Sequence, residues 1–304
     1  MTQKPPTTHC LRLLITCLTF ALALLPAWTT TGWAADAKTA DLVYANWEEG
    51  IAYTHLAQAV LEDKMGYKVT ITAADVAPAY AAVAQGDKDA FMETWLPVLH
   101  TEYMQRYSKD LIDLGHIFKG TEAGLVVPRY MVDAGIRTIS DLLKPEAKKK
   151  LKLTITGIDA GAGLMTTMDT DVLPAAGYGL ADAGYTLLAS SGPAMMASLK
   201  QAVAKKEWIV VTGWKPHSMF GYWDLAFLEQ DKKKVWLPGN IDITGRKNLR
   251  EDKPELAKFL ENMEMNNEEL SSLMVAVKES KKSTLEAARD WMHANEAVVA
   301  KWIP

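Results

Sequence analysis

Three tryptophans stand at the ends of short apolar runs that read as β-strands. Trp47 follows Asp41–Asn46 in Asn46-Trp47-Glu48-Glu49-Gly50, and Trp95 closes Asp89–Trp95. Trp214 follows Trp208–Thr212 in Thr212-Gly213-Trp214-Lys215-Pro216-His217. Open α/β sheets bind ligands outside the carboxyl ends of their strands. Indoles gathered there offer negative faces and apolar surface, which suits a quaternary ammonium, a cation with no N–H to donate. Each desolvated cation–π contact contributes about 1–2 kcal/mol, so three supply about half of the roughly 8 kcal/mol of micromolar binding. An anion site supplies the rest if the ligand is zwitterionic. Gly161-Ala162-Gly163-Leu164 opens a helix with unencumbered backbone N–H groups, and His100, shortly after Trp95, adds a ring N–H. The competing reading of each such tryptophan, and of His100, is ordinary packing. Packing is the expected role of Trp208, Trp223, Trp236, Trp291 and Trp302.

Enzyme signatures are absent from the sequence. There is no Gly-x-Ser-x-Gly elbow, His-Glu-x-x-His or Walker phosphate loop. Gly161-Ala162-Gly163 lacks the third glycine of a dinucleotide fingerprint, Thr166 standing there. His55, His100, His116, His217 and His293 have no metal-ligand spacing, so no metal and no cofactor is expected. An exported hydrolase using His100, His217 and nearby acids is the rival from another class.

The elements that must carry these residues alternate. Strands are expected at Asp41–Asn46, Lys68–Ala73, Asp89–Trp95, Gly124–Pro128, Leu151–Ile158, Thr186–Ala189 and Trp208–Thr212. Helices are expected at His55–Met65, Ala79–Ala84, Ile139–Leu143 (capped by Ser140) and Ala194–Lys205, with helix from Pro254 to the end. Repeated β-α-β alternation implies open α/β sheets. The 304 residues suit two of them, one interrupting the other. With 49% hydrophobic and 23% charged residues the chain is an ordinary folding sequence. A net charge of -4 gives no electrostatic reason to expect nucleic acid.

Residues 1–34 read as an export signal: Lys4 and Arg12, no acid, a largely apolar run Leu13–Leu25, and Gly32-Trp33-Ala34 before the cleavage point. That run is shorter than the roughly 20 residues of a membrane span. Cys10 and Cys17 leave with it, which excludes thiol chemistry and disulfides from the mature chain. Losing Lys4 and Arg12 leaves 31 basic against 37 acidic residues. A periplasmic location is expected.

The residues resemble the glycine betaine-binding proteins of ABC transporters, from about Asp41 to Trp302. The likeness rests on Asn46-Trp47-Glu48, Tyr80-Ala81…Gly86-Asp87…Asp89-Ala90 and Trp95-Leu96-Pro97…His100…Tyr103. It continues through Gly124-Leu125-Val126-Val127-Pro128, Gly157-Ile158-Asp159-Ala160-Gly161-Ala162-Gly163, Ser190-Ser191…Ala194-Met195 and Thr212-Gly213-Trp214…Pro216-His217…Met219-Phe220. The resemblance implies a tryptophan box of Trp47, Trp95 and Trp214 around a trimethylammonium. It also implies a carboxylate site at His100 with the backbone amides of Gly163 and Leu164. Ser218 departs from the family's usual aromatic after the Pro-His pair, and Ala160 from its usual proline. Ser218 is expected to widen one wall, leaving glycine betaine, other betaines, choline and carnitine as candidate ligands. The implied fold is α/β, the two-lobed type II periplasmic-binding-protein fold with a hinge between lobes. One lobe is expected at 36–125 plus 225–304 and the other at 126–224. A monomer that delivers its ligand to a membrane permease powered by a cytoplasmic ATPase is the implied partner scheme.

Overall fold

Nine strands among the described residues pair in an order quite unlike their chain order. The computed structural model describes residues 38–304, and the export signal expected over 1–34 lies outside the described residues. The strands are β1 (Thr39–Tyr44), β2 (Lys68–Ala73), β3 (Ala90–Leu96), β4 (Leu111–Pro128), β5 (Thr154–Thr156), β6 (Thr186–Leu188), β7 (Val211–Lys215), β8 (Leu225–Phe227) and β9 (Gly239–Arg246). Their order is β2-β1-β3-β9-β4-β7-β5-β6, with β8 added on β4.

Two β-α-β assemblies share one strand. In the first, β1 pairs in parallel with both β2 and β3. The helix Glu48–Asp63 links β1 to β2, and the helix Val76–Gln85 leads into β3. In the second, β5 pairs in parallel with β6 and β7. The shared strand is β4. Its residues 111–121 pair with β9, residues 122–126 with β7, and residues 126–128 with β8. At 18 residues it is about three times the usual strand length. Register shifts punctuate its first half, and Gly120 sits at φ 84° just before the change of partners. Bulges of this kind bend a strand and increase its twist, which lets one strand serve two differently oriented sheets.

Several expected elements move, each for a local reason. The helix expected from His55 starts at Glu48, with Trp47 as its extended N-terminal flank (φ -110°, ψ 153°). The strand expected at Leu151–Ile158 shrinks to β5, because the helix Pro145–Leu151 ends with Lys152 and Leu153 at positive φ. The strand expected at Trp208–Thr212 slides to Val211–Lys215, so that Trp214 is paired opposite Ala123 rather than lying past the strand end. The short helix Ile139–Leu143 is a 3-10 turn capped by Thr138, not Ser140, in a reciprocal pair with Asp141. The helical C-terminal region stands as expected. Trp291 and Trp302 are buried there, donating to Ser272 Oγ and to the Glu264 carbonyl. No helix among the described residues is long and apolar enough to cross a membrane.

Candidate ligand-binding site

Trp47 precedes its helix, while Trp95 and Trp214 each occupy the penultimate residue of their strands, β3 and β7. The pairing order carries these three positions to one place. Ring centroids are 6.4 Å apart for Trp47 and Trp95, nearly perpendicular at 77°, and 5.7 Å apart for Trp47 and Trp214 at 52°. The three rings, His100, Gly163 and Leu164 line a single small cavity of about 10 Å³, completed by Leu99, Ile158 and Ala162. That is about the room a single water needs, so the lining residues stand close together. Rings less than one-tenth exposed would be unremarkable as core. Rings set across one another around one shared space have the arrangement of a cage.

His100 is held as a donor. Its Nδ1 accepts the backbone N–H of Trp95 at 3.1 Å, with Tyr80 Oη 3.3 Å from the same nitrogen. Complete burial lowers its pKa to about 3, so the ring is neutral. With Nδ1 occupied as acceptor, the proton resides on Nε2. Across the cavity, the N–H groups of Gly163 and Leu164 open the helix Gly163–Thr167 and likewise find no backbone acceptor. Gly163 is required there, since a Cβ would overlap the Leu99 carbonyl. Tyr103, stacked on Tyr80 at 4.8 Å, donates to the Gly161 carbonyl at 2.9 Å and fixes the turn. One cavity is therefore lined by three indoles, a neutral imidazole 6.3 Å from the Trp47 ring, and the residues that open a helix.

Two of the caging indoles are tied by their edges to the opposite assembly. Trp47 Nε1 donates to Asp159 Oδ1 at 3.1 Å, and Trp214 Nε1 donates to Glu49 Oε1 at 2.7 Å. Trp95 Nε1 is buried without a partner. Burial raises the pKa of Asp159 while the Trp47 N–H pulls it down. Reasoning from sequence did not single out Asp159, Glu49 or Leu99, although Asp159 lies within the Gly157–Gly163 block and Glu49 follows Trp47 by two residues. Ser218 is not part of the lining. It sits in a neighbouring groove with Lys215 and Tyr222, its N–H donating to Glu48 Oε2 at 3.3 Å. His217 packs edge-on to Trp214 at 4.8 Å, and burial lowers its pKa to about 4.

Two α/β assemblies sharing a strand, with one cavity lined by residues of both, define a two-lobed substrate-binding protein fold. Residues 38–294 match the family described as the substrate binding domain of ABC-type glycine betaine transport systems, and the chain belongs to that family. The family is one of capture domains rather than enzymes. The curated glycine betaine/carnitine transport binding protein GbuC of Listeria monocytogenes is 39% identical over 159 residues. That match spans 52% of this chain and about half, 52%, of the relative. Among solved structures, lactococcal OpuAC in its closed-liganded conformation complexed with glycine betaine is 33% identical with a TM-score of 0.79, covering 88% of this chain and all of that one. The glycine/betaine/L-proline-binding protein ProX of Borrelia burgdorferi is 29% identical with a TM-score of 0.81, covering 88% of this chain and 97% of its own.

Proposed function

We propose that this chain captures glycine betaine or a closely related quaternary-ammonium zwitterion and passes it to a membrane permease. The trimethylammonium fits among Trp47, Trp95 and Trp214, and the carboxylate meets His100 Nε2–H and the N–H groups of Gly163 and Leu164. The observation that carries this reading is the composition of the lining, in which three indoles share one cavity with a neutral imidazole and the backbone N–H groups that open a helix. Choline, which has the cation without the carboxylate, would leave those donors unmet, and that favours a zwitterion. The two lobes correspond to 38–121 plus 239–304 and to 122–238. The pairing of β8 with β4 and the bonds from Lys232 and Lys233 to Tyr178 favour a return crossing after 225. Closure of these lobes around the ligand would present the loaded form to a permease and its ATPase. Export by the 1–34 segment to the periplasm, with the chain acting as a monomer, completes the proposal.

Titration with glycine betaine is expected to change the tryptophan fluorescence with saturation. Trp47→Ala, Trp95→Ala and Trp214→Ala are each expected to weaken binding by about 1–2 kcal/mol or more, roughly five- to thirty-fold. Wild-type affinity in two of the three variants would sink the cage.

A further inference from the structure

Behind the cage lies an acidic pair that the binding scheme above leaves unused. Glu49 and Glu93 are both fully buried, on the helix Glu48–Asp63 and on β3. Glu49 Oε1 takes the Trp214 indole N–H, and Glu93 Oε2 takes the Ala45 backbone N–H at 3.1 Å. Among the described residues the remaining oxygens, Glu49 Oε2 and Glu93 Oε1, lack a well-formed donor, the Tyr53 hydroxyl lying beside Glu93, and the two carboxyls lie within hydrogen-bonding reach of each other. The arrangement is built: Gly50 has no Cβ because the Glu93 carboxyl fills that space. Two bare carboxylates in contact inside a protein repel, and no lysine or arginine is paired with either among the described residues. Protonation removes the repulsion, and a single proton kept by the pair is enough to let one carboxyl donate to the other.

We propose that Glu49 and Glu93 each carry a proton behind Trp214 in the ligand-free protein and that Glu49, by releasing its own when a quaternary ammonium enters the cage, leaves one proton shared by the pair and supplies that cation's buried counter-charge. This rests on the betaine-cage reading. The O–H bond breaks heterolytically, its electrons stay on the carboxylate, and the proton passes to bulk solvent. Glu49 is then a positioning residue acting through the Trp214 ring, with Glu93 holding its proton. Burial raises the pKa of Glu49 to about 8 and pushes that of Glu93 well above the ordinary range, each with a contribution from its acidic neighbours. The other groups facing the pair are Glu48, Tyr53 and Tyr44. Burial raises both tyrosines, and Glu48 is engaged by Lys278 and His217. His100 and His217 are neutral throughout the range that matters, and a quaternary ammonium carries no proton of its own.

An incoming cation favours the ionised pair, so its pKa falls on binding and affinity rises as pH climbs through about 8. A shift of one pKa unit corresponds to about tenfold in affinity. Glycine betaine calorimetry between about pH 7 and 9, repeated in buffers of different ionisation enthalpy, is expected to report a fractional proton released per ligand. Glu93→Gln supplies an amide donor to Glu49 and is expected to move the rise to lower pH. The Glu49→Gln/Glu93→Gln double variant is expected to abolish both the rise and the proton release. A pH-independent wild-type affinity with no buffer-dependent heat overturns the proposal without needing any variant to fold. A double variant with the wild-type profile overturns it as well. If wild type binds and the tryptophan variants do not, either result defeats the shared proton alone and leaves the cage standing.

Discussion

At the scale of single residues, recognition divides between faces and edges of rings. The faces of three indoles bound the cavity, while the edges of two are engaged elsewhere, by Asp159 and Glu49. His100 works as a fixed neutral donor because a backbone N–H occupies its Nδ1 and burial denies it a charge. His100→Ala is therefore expected to cost glycine betaine about 1.5–3 kcal/mol, the worth of a hydrogen bond to a charged group, and to leave choline affinity unchanged. Parallel calorimetry with the two ligands checks this, and an equal loss for both would refute the donor role. The six residues named from the sequence line one cavity, and what signalled them was tryptophan near the strands together with a glycine turn opening a helix. Asp159, Glu49 and Glu93 were not legible. Acidic residues next to a turn or in a helix's first turn read as solvated, and only the pairing order reveals that these are buried.

At the scale of elements, the β-α-β units could be read from alternation, as at Lys68–Ala73, which matches β2 residue for residue. What alternation missed was the strand joining the two assemblies. The first half of β4 is interrupted by Gly115 and Gly120, both at positive φ, and β9 opens on Gly239-Asn240, so neither carries the clean period-two pattern. Trp214 was expected past its strand because the apolar run Trp208–Val211 begins before the pairing does. The irregular residues of β4 are the ones that let it change partners. Nothing lies within 4 Å of a Cβ built at Gly120, so Gly120→Ala meets only the penalty of its left-handed backbone. That penalty is about 1–2 kcal/mol of unfolding free energy, measurable by denaturant titration. A neutral result would mean that the strand has room to re-register there.

At the scale of the whole molecule, closure and capture depend on the same contacts. Gly163 from one assembly abuts the Leu99 carbonyl from the other, and no side chain fits between them. Gly163→Ala is expected to leave thermal stability of the ligand-free protein nearly unchanged while preventing betaine-induced compaction in small-angle scattering. Full compaction in that variant would show that the approach is not needed. The cavity's lining has a further consequence. No residue that touches it bears a formal charge, since the anchors are indole faces, a neutral imidazole and backbone amides. Mobile ions screen exposed charges over about 10 Å at 0.1 M salt but gain no purchase on groups of this kind. A pocket so lined is expected to keep its affinity for a zwitterion as salt rises, which calorimetry at increasing ionic strength checks.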